Sequence, residues 1–149
     1  MVNNYEKAEE IEDYIREKLN KKGIELQYHD VKSCDFCAYG ELLEIKSASI
    51  ANKNGKRKGK QLKVGGRFDF TNKDQLKYLK ENNAWVIFVT NYGDQRIIIG
   101  ALKASELPNR RYFSIPWITN QKALFSWKEI VNKILRVKRD IALKNKKEI

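Results

Sequence analysis

Near the start of the chain, apolar residues recur at helical spacing. Ala8, Ile11, Ile15 and Leu19 form one stripe and Gly23 follows as a stop, which predicts an amphipathic helix over residues 4–22. Residues 24–29 alternate as a strand does. Residues 33–38 and 41–48 predict two more strands around Tyr39-Gly40, a two-residue hairpin loop. Residues 50–66, rich in Gly, Lys and Asn, are expected to form an exposed, mobile loop. A short strand over 67–70 leads to a helix over 72–82, with Thr71 as its cap and Asp74 in its first turn. Residues 84–90 are almost continuously apolar, the pattern of a strand buried on both faces, so Trp85 and Phe88 belong to the core. A turn over 91–95, a strand over 96–101 and an irregular stretch over 103–120, holding Pro108 and Pro116, come next. Ser126 with Glu129 then opens a last helix over about 127–145. This order predicts a mixed α/β fold, a central sheet flanked by helices with a C-terminal helix. A chain of 149 residues suits one domain, with a core over about 5–100 and residues 101–149 as an extension ending in a basic helix.

The hairpin has a chemical consequence. If Tyr39-Gly40 is the loop, Ala38 pairs with Glu41, and counting back places Phe36 opposite Leu43 and Asp35 opposite Glu44. Directly paired residues share a sheet face, and faces alternate along each strand. Asp35, Glu44 and Lys46 therefore project from one face. Phe36, Ala38, Leu43 and Ile45 project from the other, a wholly apolar face suited to packing on a helix. Two facing carboxylates repel unless a cation sits between them, and Mg²⁺ is commonly held by one or two carboxylates with waters and phosphate oxygens. A lysine two residues further on could neutralise charge at a phosphate undergoing attack.

Charge adds the partner class. The chain carries a net charge of +11 with pI near 9.6, which favours a polyanion. Residues 45–68 contain no acid, while Lys46, Lys53, Lys56, Arg57, Lys58, Lys60, Lys63 and Arg67 all fall there; a second basic cluster spans 128–147. The loop holds no aromatic residue for base stacking, which points to backbone contacts on a duplex. No apolar run approaches the roughly 20 residues of a membrane span, and residues 1–10 are polar and acidic, unlike a secretion signal. A cytoplasmic chain with no membrane partner is expected. Cys34 and Cys37 lie three apart on an extended strand, so they point to opposite faces and cannot converge on a metal; two small, partly buried thiols are the expectation.

Asp35 followed by Glu44-Ile45-Lys46 resembles the core of the PD-(D/E)xK nuclease superfamily, which includes many restriction endonucleases and the archaeal Holliday junction resolvases. The element order of residues 4–90 matches that family's helix, three-strand meander, helix, strand. As in the resolvase-like branch, a first-helix Glu12 precedes Ile15, Leu19 and Gly23 by three, seven and eleven residues. Gln75 sits where some members keep a Gln near the active site. The resemblance implies a restriction-endonuclease-like fold and Mg²⁺- or Mn²⁺-dependent hydrolysis of DNA, double-stranded or branched, and it allows a homodimer. It implies Asp35, Glu44 and the Ile45 carbonyl as metal ligands, Lys46 as the residue assisting the nucleophile, Glu12 as a supporting acid and Gln75 as a further supporting residue. Cys34 stands where the motif's name has proline, and the nine-residue interval from Asp35 to Glu44 is short but suits a tight hairpin.

Plainer readings stand beside this one. The cluster can be a solvated cross-strand group with Lys46 pairing Glu44, worth at most ~1 kcal/mol. Glu12 can be an ordinary helix residue, and Gln75 an ordinary helix-surface residue. A non-catalytic nucleic-acid-binding module and an RNA-processing nuclease are the alternative functions; facing acids in a basic cleft argue against a pure binder.

Overall fold

The computed structural model describes residues 4–31, 34–50, 56–57, 60–61, 66–70, 73–92 and 95–147. Lys53, Lys58, Lys63 and the expected cap Thr71 lie outside the described residues. Lys56, Arg57 and Lys60 enter only through their backbone.

Helix α1 (Asn4–Lys21) buries Ile11, Ile15 and Leu19, each contributing about 1.5–3 kcal/mol by leaving water. It ends at Gly23, whose φ of +83° is a left-handed conformation. There Ile24 N–H donates to the Leu19 carbonyl and Gly23 N–H to that of Asn20, satisfying the helix's last acceptors. Ile24 is fully buried by this closure. Strand β1 (Gln27–Val31) therefore begins three residues later than the alternation at 24–29 suggests.

Strands β2 (Cys34–Ala38) and β3 (Glu41–Ser49) form the expected hairpin, pairing Phe36 with Leu43, Cys37 with Leu42 and Ala38 with Glu41. Tyr39 and Gly40 both take positive φ, 51° and 85°, the backbone of a tight hairpin turn whose twist matches that of the strands. Tyr39 tolerates this because its ring packs against the core and its hydroxyl donates to the Gly23 carbonyl at 3.4 Å. Within the expected 50–66 loop, Lys56–Arg57 (β4) pairs antiparallel with Lys60–Gln61 (β5).

After β6 (Arg67–Asp69) and helix α2 (Lys73–Glu81), strand β7 (Trp85–Tyr92) runs parallel to β3, and β8 (Gln95–Lys103) returns antiparallel beside it. These complete a mixed five-stranded sheet in the order β1-β2-β3-β7-β8. The β7–β8 strands leave only 93–94 between them, shorter than the turn expected over 91–95. The irregular stretch expected over 103–120 is a correction. It holds a 3₁₀ turn (Ala104–Glu106), strand β9 (Tyr112–Ser114) paired with β6, and helix α3 (Ile115–Thr119), with Ser114 capping and Pro116 in its first turn. Helix α4 (Trp127–Lys147) starts with the predicted capping box: Glu129 N–H donates to Ser126 Oγ, and Ser126 N–H to Glu129 Oε1, both at 3.2 Å.

The sheet separates two apolar layers. On one face Phe36, Ala38, Leu43, Ile45, Trp85, Ile87 and Val89 pack against α1 and α4. On the other, Ala48, Val86, Phe88 and Leu102 pack against α2, β6, β9 and α3. Strand β7 is buried from Trp85 to Thr90 because it feeds both layers, which explains its unbroken apolar run. Within residues 101–147, Ile130 and Ile134 complete one layer and Leu107, Phe113 and Ile118 the other. No helix among the described residues is long and apolar enough to cross a membrane.

Candidate active site

One step beyond the Phe36–Leu43 pair, the hairpin register brings Asp35 and Glu44 to the same level. Asp35 Oδ2 accepts the Ile45 N–H at 3.3 Å. The N–H and C=O of a strand residue leave by the same edge, so the Ile45 carbonyl is also turned toward β2. The Ile45 side chain lies in the opposite, α1-facing layer.

Glu44 is only 2% exposed, an uncommon position for a carboxylate. It sits between β2 and β7, on the face that also carries Lys46 and Ala48. Gln75, reaching across from α2 and itself buried, donates from Nε2 to Glu44 Oε2 at 2.6 Å. Its Oε1 accepts from Lys46 Nζ at 2.9 Å. A neutral amide thus joins acid to amine, so the plain reading of a direct Lys46–Glu44 pair and the surface reading of Gln75 are both corrected. The Lys46 ammonium also lies 4.8 Å from the centre of the Phe70 ring.

Glu12 comes from α1, at the flank of the Ile11–Ile15–Leu19 stripe. Burial, and next the charge of Asp35, push its carboxyl up to about 7, and its side chain hydrogen-bonds with Asp35. Burial raises Glu44 as well, with a hydrogen bond to Asp35 and the Asp35 charge adding to the effect and Lys46 opposing it. Asp35 therefore stands between two carboxyl groups that hold protons unusually well. Lys46 opposes the charge of Glu44, in a protein whose net charge is +11. Cys34 is buried beside them; burial first, and then the Glu44 charge, push its thiol up to about 12. It stays a neutral thiol, and both cysteines are free.

Among the described residues no three His, Cys, Asp or Glu side chains converge on a metal position. Asp35 and Glu44 hydrogen-bond one another, and the Ile45 carbonyl leaves β3 by the edge nearest Asp35. Two carboxylates and a carbonyl are hard oxygen ligands, a set that fits Mg²⁺ or Mn²⁺ when waters or phosphate oxygens complete the octahedron.

Of the basic residues expected to meet nucleic acid, Arg67 is exposed on β6, its guanidinium 4.0 Å from the centre of the Tyr112 ring. Reading the sequence alone misses Phe70 beneath Lys46 and the run Arg110-Arg111-Tyr112-Phe113, which packs on Phe70. No family model matches the chain, and no curated protein matches it in sequence.

Proposed function

We propose that this protein is a Mg²⁺- or Mn²⁺-dependent endodeoxyribonuclease with a restriction-endonuclease-like fold, hydrolysing DNA phosphodiesters with an activated water. The observation that carries this reading is the Glu44–Gln75–Lys46 chain, with Asp35 facing Glu44. A buried acid and an amine on one sheet face, joined by an amide reaching over from α2, have no packing purpose that apolar residues would not serve better. They resemble the Asp, Glu-x-Lys set of the PD-(D/E)xK nucleases in identity, order and register.

In this reading Asp35, Glu44 and the Ile45 carbonyl hold the cation, which supplies activation of a water and neutralisation of phosphate charge. Lys46 presents its ammonium to the attacked phosphate or the incoming oxygen. Gln75 fixes the Lys46 rotamer, so the amine is aimed before substrate arrives. Glu12 acts through Asp35, holding it in place by a side-chain hydrogen bond. DNA as substrate, a cytoplasmic setting and a homodimer belong to the same proposal.

The test is cleavage of supercoiled plasmid and of a synthetic four-way junction with Mg²⁺, Mn²⁺ or EDTA, with Glu44→Ala and Lys46→Ala alongside. Metal-dependent cutting that drops at least 100-fold in both variants is expected, the usual scale for losing a charge-stabilising group. Tight binding with no cutting under either metal would replace this reading with the binding module. Cutting confined to RNA would make the protein an RNA-processing nuclease built on the same residues.

A further inference from the structure

Strands β6 and β9 form a two-stranded ribbon pairing Arg67 with Ser114, Phe68 with Phe113 and Asp69 with Tyr112. Its inner face is Phe68 and Phe113, both buried among the residues packed on α2. Its outer face is therefore Arg67, Asp69, Tyr112 and Ser114. The alternation is the ordinary consequence of strand geometry, and to the outward Arg67 the two residues just before β9, Arg110 and Arg111, add two more exposed arginines.

Each arginine lies against an aromatic ring. The Arg67 guanidinium carbon is 4.0 Å from the centre of Tyr112. That of Arg110 is 4.8 Å from both Phe113 and Trp117. Arg111 stands 4.9 Å from Tyr112 and donates to Asp69, Nε to Oδ1 at 2.8 Å and Nη2 to Oδ2 at 3.3 Å. Stacking occupies the guanidinium face and leaves its in-plane N–H donors pointing outward. Arg111 neutralises Asp69, the one acid on the outer face. Among the described residues no carboxylate pairs with Arg67 or Arg110.

The ribbon adjoins Lys46 directly. Phe70, the next residue after β6, lies under the Lys46 ammonium, donates its N–H to the Arg111 carbonyl at 2.8 Å and meets the Phe113 ring edge-on at 5.6 Å. At the other end of β6, Gly66 N–H donates to the Ser49 carbonyl of β3 at 2.8 Å, so the ribbon runs along the Glu44–Lys46 strand.

We propose that this ribbon is a clamp for the phosphodiester backbone of DNA, with Arg67 and Arg110 as the phosphate-binding residues and Tyr112 and Trp117 as the platforms that hold them. The clamp rests on the nuclease reading for its purpose, which is to seat one strand next to Lys46. Its chemistry selects phosphate: the exposed groups are guanidinium edges, which match phosphate oxygens two at a time, while the ring faces beneath them are taken. The platforms order the long side chains beforehand, so less rotamer freedom is lost on binding.

The experiment is fluorescence anisotropy of a fluorescein-labelled DNA duplex titrated with protein in EDTA, over a series of KCl concentrations. Arg67→Ala/Arg110→Ala is compared with wild type, with Arg67→Lys/Arg110→Lys and with Tyr112→Ala. The double alanine variant should bind about tenfold more weakly, and its plot of log affinity against log salt should be shallower by about 2, one phosphate per arginine. The double lysine variant should keep the wild-type slope at intermediate affinity, because it keeps the charge but loses the fork and the stack. Tyr112→Ala should weaken binding through Arg67. All these positions are surface ones, so thermal unfolding midpoints near wild type establish that the variants are folded. Wild-type affinity and slope in the double alanine variant overturn the clamp, as does a wild type that does not bind duplex. If the arginine variants lose binding but no metal supports cutting, the clamp stands and the nuclease reading falls. If the wild type cuts and the arginine variants bind as it does, the nuclease reading stands and the clamp falls.

Discussion

Replacing Glu12 with glutamine separates what the acidic cluster does to stability from what it does to chemistry. The Glu12 carboxyl is raised from 4.5 to about 7 in the folded protein, by burial and then by Asp35. A shift of that size corresponds to about 3 kcal/mol before allowance for solvent, and Glu12 is only half-buried, so about 1–2 kcal/mol is the expected effect. The sign follows from which state holds the proton. Between 4.5 and about 7 the folded chain keeps a proton that the unfolded chain has released, so stability falls as pH rises through this window. Below it both states are protonated and nothing is lost; above it the full penalty is in place. Glutamine has the same shape and cannot ionise. Glu12→Gln should therefore match wild type at the acid end of the window and gain about 1–2 kcal/mol at pH 8. Urea unfolding in EDTA reads this directly, as a pH-dependent shift in midpoint at constant slope. In a chain of 149 residues each kcal/mol moves the thermal midpoint by roughly 2–4 °C. Mg²⁺ at ten times its Kd should stabilise the wild type at pH 8 by about 1.4 kcal/mol, offsetting the same penalty. A gain that does not vary with pH, or a loss of stability at pH 8, would refute the assignment of Glu12 to a crowded acidic site.

Two further outcomes follow from the same geometry. Gln75→Ala leaves a buried Glu44 oxygen and the Lys46 ammonium without their shared partner, and should cost about 1–3 kcal/mol in urea unfolding along with most of the cleavage rate. Gly40→Ala meets no neighbouring atom within 4 Å, so only its φ of +85° resists the change; a loss of about 1 kcal/mol is expected, and a neutral result would mean that the turn relaxes.

Much of the chain's organisation could be read along its length because the forces involved are local. The α1 stripe, the Tyr39-Gly40 turn, the Ser126–Glu129 box and the apolar run of β7 each depend on neighbours a few residues away, and each is found close to where the pattern puts it. The facing of Asp35 and Glu44 was legible for the same reason: a two-residue turn leaves one register, and strand alternation then assigns the faces. The 103–120 stretch was not legible. Strand β9 is three residues long, lies between Pro108 and Pro116, and exists because β6, more than forty positions earlier, offers it an edge.

The tertiary structure alone decided how the site is joined. Nothing within a few residues of Gln75 says that its helix would lie across β3 and set its amide between Glu44 and Lys46; that depends on α2 packing over Val86 and Phe88. The same packing closes Glu44 off from water, and α1, on the opposite layer, brings Glu12 to Asp35. The sequence by itself determined which residues are acids and amines and which strand face each takes. Only the folded chain determined their burial and their proton affinities, because these are set by desolvation and by charges brought close from distant parts of the chain.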